Sequence, residues 1–468
     1  MGATALILAA GEGTRMRSSL PKVAHRILGV PMVQHVVEAA RAAGCERIVV
    51  VTGHGAETVE ALLDGVECAR QDRQLGTGHA VMCAREALGA ITGSLVVLSG
   101  DTPLITAETI RSLVAERDRH GAGAAVLTAV MDDPTGYGRI VRDEEGDIAA
   151  IVEQKDCDNA HIAIREVNTG TYCFDAEALL GDLDRLTTDN AQGEFYLTDM
   201  VAHLRDESRS VIPVPAHDAS EALGVNTRVH LAEAAKAMQR RINERHMLAG
   251  VTMTDPLLVW IGPHVELGRD VIIEPMTTVL GESRVGDDVH LGPNTRVTDS
   301  QIADGAVIDA SILVGADVGP GAVVGPVAYL RPGAVLAANA KAGTCVEIKS
   351  STVGEGSKVP HLSYIGDATI GRKVNVGAGT ITCNYDGFAK HRTVIEDGAF
   401  VGSDTMLVAP VRIGEGSVTA AASAISRDVP PGALGIERTE QRTVDGWTAR
   451  RRAAIQGTGE HDSEREGE

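Results

Sequence analysis

The sequence predicts an α/β layer, then a connecting helix, then a parallel β-helix. Three observations predict it. Before about residue 225, buried strand-like runs alternate with amphipathic helical stretches. From Thr227 to Gly250 one segment has no Pro and no internal Gly. After about residue 250 the hydrophobic period becomes six.

In the first region "TALILAA", "RIVVVTG", "SLVVLSGD" and "GAAVLTAV" read as buried parallel strands. "PMVQHVVEAARAAG" and "AETIRSLVAERDRHG" read as amphipathic helices, each closed by Gly. Such alternation predicts a doubly wound, Rossmann-like α/β layer over residues 1–226. The segment 227–250 predicts a rigid linker helix of roughly 33 Å by rise alone. Its cations, Lys236, Arg240, Arg241 and Arg245, read as a solvated face.

Over residues 251–447 apolar residues recur at Ile261, Leu267, Ile273, Val279, Val285, Leu291 and Val297. The series resumes from Ile302 and continues through Leu330 and Ile348 to Ile425. A six-residue period marks hexapeptide β-helix repeats, in which one side chain per repeat points inward. Three short strands close a coil of ~18 residues, giving on the order of nine coils. The polar segment 448–468, ending "GTGEHDSEREGE", is expected to be a disordered acidic tail.

The 468 residues suffice for two or three domains with real cores. The net charge of −21 argues against sequence-independent nucleic-acid binding, which needs basic surface. No window approaches the roughly 18 apolar residues of a membrane span. The start "MGATALILAAGEG" lacks the features of a signal peptide, so a cytoplasmic location is expected. Seven cysteines with no C-x-x-C pair argue for reduced thiols and against structural zinc. Cys345 and Cys383 are expected to be small packing residues.

The stretch "LILAAGEGTRMRSSLPK" empties a strand into a glycine turn followed by cations. It is not a Walker loop, because no Lys-Ser/Thr follows at the required spacing. It is not a dinucleotide fingerprint, because Met16 stands at the third Gly position. Gly11 and Gly13 let backbone N–H groups approach an anion. Arg15 and Lys22 add charge suited to a multiply charged phosphate chain, so the loop is expected to hold a triphosphate. The alternative is a plain structural turn. Gly76 and Thr77 in "QLGTGHA" could read a nucleobase edge. "VVLSGDTPLI" ends a strand on Asp101, a hard oxygen ligand suited to Mg²⁺ at the edge where open α/β sheets bind ligands. The alternative is a cap for the next helix.

A second cluster lies in the repeats. The count of six breaks at "TCNYDGFAKHR", Thr382 to Arg392, as a projecting loop would break it. Just before it stand His361 and Tyr364. Arg331 lies about one coil before Lys349, and Glu347 about one coil before Tyr364, so these side chains converge on one wall. The alternative is a polar ladder on the outside of the solenoid.

The pattern G-x-G-T-R followed by P-K resembles the signature of sugar-phosphate nucleotidyltransferases. With "DDPTGYGRI", "IVEQKD", "EVNTGTY", "DNAQGEFYLTDM" and "GVNTRVHLAE" the likeness extends over the chain to about residue 447. It is to the family of bifunctional bacterial N-acetylglucosamine-1-phosphate uridyltransferases and glucosamine-1-phosphate acetyltransferases. That resemblance implies a left-handed parallel β-helix behind the nucleotidyltransferase domain. It implies synthesis of UDP-N-acetylglucosamine, a precursor of peptidoglycan and lipopolysaccharide, by acetyl transfer and then uridylyl transfer. It implies UTP and the sugar nucleotide on Leu8, Ala9, Ala10, Gly11, Arg15, Lys22, Gln71, Gly76, Thr77, Ser99, Gly100 and Asp101. The sugar phosphate is implied near Gly138, Glu153, Asn168 and Asn226, with Mg²⁺ shared by Asp101 and Asn226. One departure is Thr227, where the family pattern carries a second Asn.

For acetyl transfer the resemblance implies His361 as the base for the glucosamine amine, with Glu347 orienting the imidazole. Arg331, Lys349, Tyr364 and Asn375 match the acceptor positions. Ala378, Asn384, Tyr385, Lys390, Ser403, Ala421 and Arg438 match acetyl-CoA positions. The resemblance also implies a homotrimer, small-molecule substrates, and neither nucleic acid nor membrane as partner. A competing reading keeps the nucleotidyltransferase and makes the β-helix an oligomerisation scaffold. Another makes the first half a nucleotide sensor.

Overall fold

The computed structural model describes residues 2–462. The chain divides between Ser300 and Gln301 into two compact units.

The first unit opens with a nine-stranded sheet. Its main path runs Val211–Pro215, Ala124–Val130, Glu166–Asp175, Ser94–Ser99, Thr4–Ala9, Arg47–Thr52, Glu67–Arg70. All four strands expected to be parallel share one direction. Glu166–Asp175 differs: it runs antiparallel to both neighbours and carries a register shift between Asn168 and Tyr172. Alternation along each strand sends neighbours to opposite faces. Leu6, Val97 and Val126 therefore enter one core, and Ile7, Leu98 and Leu127 the other. Helix Met32–Ala42 buries Met32, Val33, Val36, Val37 and Ala40, the spacing of one helical face. The Thr4–Ala9 and Ser94–Ser99 strands end level, since Gly100 N–H donates to the Leu8 carbonyl at 2.9 Å. That places the glycine turn and Asp101 together at the carboxyl edge of the sheet.

The linker helix spans Arg228–Leu248. Thr227 is its N-cap: its hydroxyl accepts from His230 N–H at 3.2 Å. Thr does this nearly as well as Asn, so the departure at 227 keeps the helix start intact. The helix is not solvated all round. Ala234, Met238, Gln239, Ile242, Asn243 and His246 are buried. The amides of Gln239 and Asn243 donate to the Val259 carbonyl at 2.6 and 2.9 Å, which fixes the helix to the first coil. Lys236, Arg240 and Arg245 are exposed, but Arg241 donates to the Leu104 carbonyl at 2.8 Å and is a tie rather than part of a solvated face.

Short parallel strands then stack in three ladders in each unit, the pattern of a parallel β-helix. In the first unit register steps are 18 residues after a first step of 20 from Thr252 to Ile272, as Trp260 to Thr278 to Arg296. In the second they are 16 to 18 until the loop. The expected inward residues are buried, among them Ile261, Val279, Leu330, Ile348, Leu407 and Ile413 at 0% exposure. Leu267 is half-buried instead. Across Thr382–Arg392 the step lengthens to 25, as Asn375 to Phe400, so the insertion leaves the coil without disturbing the ladders on either side.

Two expectations need correction. Trp447–Asp462 is a helix, not a disordered tail. The run "TARRRAAIQ" has no Gly or Pro and is rich in strong helix formers. Residues 463–468 lie outside the described residues. Cys345 is not a packing residue: it is exposed, at a corner with φ +56°. Cys383 is half-buried, and burial raises its thiol pKa. All seven cysteines are free.

Candidate active sites

A cavity of about 270 Å³ opens at the carboxyl edge of the first sheet. Leu8, Ala9, Ala10, Gly11, Lys22, Gln71, Gly76, Thr77, Ser99 and Asp101 line it, all expected from the sequence. Gly11 has open space where a Cβ would be, so it leaves the cavity free. Gly13 has φ +66°, and a Cβ there would press on Lys22 Cβ at 2.5 Å, so the turn packs on the stem of Lys22. At Gly76, φ is +106° and a Cβ would meet the Phe195 carbonyl oxygen at 2.5 Å. No side chain fits there. Gly100 packs against Ala9 and Leu8 behind the cavity.

The charged groups meet at one point. Lys22 Nζ is paired with Asp101 and donates to Asn226 Oδ1 at 3.2 Å. Arg15 reaches the same Asn226 oxygen at 2.9 Å. Val225 N–H donates to the Asp101 carbonyl at 2.9 Å, which brings the segment before the linker helix to Asp101.

Gly138, Glu153 and Asn168 gather beside this point. Asn168 N–H donates to the Gly138 carbonyl at 2.9 Å, and a Cβ on Gly138 would lie 3.5 Å from Glu153 Oε2. Asn168 is buried and donates to the Tyr172 hydroxyl at 2.7 Å. Burial raises the Glu153 carboxyl pKa, and the charges of Asp156, Asp199 and Glu194 add to this against a hydrogen bond from Thr198. The bulge that carries Asn168 puts Gly170 against Ser99 at the cavity wall.

In the second unit Glu347, Lys349 and Tyr364 share one ladder with Arg331 beside it, while His361 stands in the neighbouring ladder. Arg331 donates to Glu347 Oε1 at 2.8 Å. Lys349 Nζ lies 3.5 Å from Asp367 Oδ1, and Asn384 donates to the other oxygen of Asp367. Tyr364 and Asn384 close over Gly366, where a Cβ would meet them at 2.5 and 2.8 Å. Lys390 stands close to Lys349, whose interaction and like charge lower the Lys390 ammonium pKa. Asp386 shapes the projecting loop by accepting from Phe388 N–H and Ala389 N–H at 2.8 and 2.7 Å, while Tyr385 donates to the Gly387 carbonyl at 2.7 Å.

His361 is exposed, and its register partner one coil up is Thr344. Continuing the register from Lys358↔Asn375 and Val376↔Val401↔Thr419 sets His361, Ala378, Ser403 and Ala421 in one ladder at successive coils. Arg438 donates to the Ala421 carbonyl at 3.0 Å at the end of that ladder. Glu347 makes its contact with Arg331, two residues along from its register partner Tyr329, rather than with His361.

Comparison with known proteins shows the family. A model of the MobA-like NTP transferase domain matches residues 5–249. The Bifunctional protein GlmU of Heliobacterium modesticaldum is 49% identical over 454 residues, covering 97% of this chain and 99% of that protein. The chain belongs to the GlmU family. Namesakes from Exiguobacterium sp. and Streptomyces avermitilis are each 48% identical, over 95% and 96% of this chain. Those matches span 99% and 95% of the two relatives, so the likeness runs through both units.

Sequence reasoning missed several members of this GlmU-type cavity. Gln74, Ala80, Val23 and Glu194 also line it. Gln74 sits in the turn before the nucleobase motif, and Glu194 within "DNAQGEFYLTDM", so both were near a recognised signal. Asp367, which holds both Lys349 and Asn384, had none: "IGDATI" reads as one more repeat corner.

The donors at Asp101 and Asn226 fit a Mg²⁺ ion. Two oxygens, one anionic, already converge on a single cation, the Lys22 ammonium. Mg²⁺ typically takes one or two carboxylates and completes its shell with water and phosphate oxygens.

Proposed function

We propose that the chain makes UDP-N-acetylglucosamine in two steps at two separate sites. In the first, the amine of glucosamine-1-phosphate attacks the thioester carbonyl of acetyl-CoA. His361 takes the amine proton, and CoA leaves as the thiol. Arg331 occupies Glu347 Oε1, which leaves Oε2 to stabilise the imidazolium. Arg331, Lys349 and Lys390 hold the sugar phosphate and the coenzyme phosphates, with Tyr364 and Asn375 on the acceptor. Acetyl-CoA lies along the ladder of Ala378, Ser403 and Ala421, between Asn384, Tyr385 and Arg438. A positioned base contributes about 10²–10⁴ in rate.

In the second step a phosphate oxygen of N-acetylglucosamine-1-phosphate attacks the α-phosphorus of UTP in line, and pyrophosphate leaves. Gly11 keeps the cavity open to the phosphates, and Arg15 and Lys22 neutralise them. Gln71, Gly76 and Thr77 meet the uracil. Gly138, Glu153, Asn168 and Asn226 meet the sugar. A Mg²⁺ held by Asp101 and Asn226 would supply charge neutralisation across the phosphates.

We further propose a cytoplasmic homotrimer. Phe400, Val418 and Leu434 stand in one outward ladder, exposed by 49, 38 and 61%, as an apolar stripe suited to a second copy. No described helix is long and apolar enough to cross a membrane. The domain limits 1–226, 227–250 and 251–447 are retained as functional segments.

The observation that carries the reading is that each compact unit holds a cationic cluster of its own. One, Arg15 and Lys22, meets Asn226 and Asp101. The other, Arg331, Lys349 and Lys390, faces the outside of a solenoid. A scaffold has no use for the second. Asp101→Ala is expected to remove uridylyl transfer and leave acetyl transfer within about twofold. Loss of both activities in a folded variant would contradict separate sites.

A further inference from the structure

Gln71 is 3% exposed and lines the nucleotide cavity. Its amide is oriented by two acceptors. Nε2 donates to the Gly76 carbonyl at 3.0 Å and lies 3.0 Å from His79 Nδ1. An NH₂ group has two hydrogens, and these acceptors take both. Among the described residues Oε1 has no hydrogen-bond partner. An amide oxygen left without a partner at a cavity wall can accept from a donor on whatever fills the cavity.

His79 is itself fixed. Its ring stacks on Phe195 with centroids 6.2 Å apart and planes at 25°. The Gln71 NH₂ can only donate and the Gly76 carbonyl fixes which end of the amide it is, so Nδ1 accepts and the proton belongs on Nε2. The same Phe195 accepts from Gly78 N–H and donates to the Leu75 carbonyl, which locks the turn that carries Gly76.

We infer that His79 is the positioning residue for nucleobase choice: it holds Gln71 with Oε1 facing the base and so selects an imide N–H. This deepens the nucleotidyltransferase reading and rests on it. Uracil carries a ring N–H flanked by two carbonyls. Cytosine carries a ring nitrogen acceptor at that place, and two acceptors would then face each other in a buried site. Such mismatches discriminate strongly, because a buried polar group is left unpaired. His79 touches no substrate; it acts through Gln71.

The test compares UTP with CTP in uridylyl transfer for the full chain, His79→Leu, His79→Ala and His79→Asn. Asn offers a side-chain oxygen where Nδ1 accepts. The expected result is a roughly tenfold or larger fall in the UTP-to-CTP ratio of kcat/KM in the Leu and Ala variants. The change resides in KM, with kcat within about twofold, and Asn restores most of the ratio. Acetyl transfer by the same preparations reports that each variant is folded. A ratio unchanged in a folded Leu or Ala variant overturns the inference. So does a loss confined to kcat. A wild-type chain that uses neither nucleotide overturns the nucleotidyltransferase reading itself, a distinct outcome.

Discussion

Gly76 shows how one backbone angle controls a site. Its φ of +106° and the Phe195 oxygen 2.5 Å from any Cβ leave no room for alanine. Gly76→Ala must displace the turn that lines the cavity. It is expected to lower uridylyl kcat/KM at least tenfold and to leave acetyl transfer unchanged. Equal activity in the variant would mean that the turn does not contact the nucleotide. This residue was legible in the sequence because a Gly-Thr pair can offer backbone and hydroxyl to a ligand edge. Asp101 was legible for a similar reason, as a carboxylate at a strand end. His79 was not. Its importance depends on an atom of Gln71 eight residues away, and neither residue type signals a contact between them. Glu347 was legible as a member of the wall but not for its partner. The register that brings Arg331 beside it is a property of the coil, and one residue of slip would change the pairing.

Helices and strands followed the hydrophobic period where the period was long. The six-residue repeat located the β-helix because each coil repeats the same test, and inward positions from Ile261 to Ile425 met it with few exceptions. Glu166–Asp175 escaped because an antiparallel strand inside a parallel sheet has the same buried composition as its neighbours. The terminal helix escaped because charge and polarity were weighed over the propensity of Ala and Arg. The linker helix carries a prediction of its own. His246 is buried in it, with Nε2 unpaired, and burial together with Arg245 lowers its pKa to about 4. The unfolded chain takes up that proton near 6.5. The stability His246 contributes is therefore present above pH ~6.5 and is lost as pH falls toward about 4. Urea unfolding followed from pH 7 to pH 4.5 should show this decline, and His246→Leu should make it shallower. An unchanged slope would place the linkage elsewhere.

At the scale of the whole chain, relatives align through both units, and each unit holds a charged site of its own. The central claim is that the β-helix is catalytic and works without the nucleotide site. The most direct test supplies glucosamine-1-phosphate and acetyl-CoA, omits UTP, and follows release of the CoA thiol. His361→Ala is run beside the wild type. Thiol release by the wild type, falling by about 10²-fold or more in the variant while uridylyl transfer persists, is the expected result. No release from a wild-type protein that still joins UTP to N-acetylglucosamine-1-phosphate would contradict it, and the β-helix would then be a scaffold.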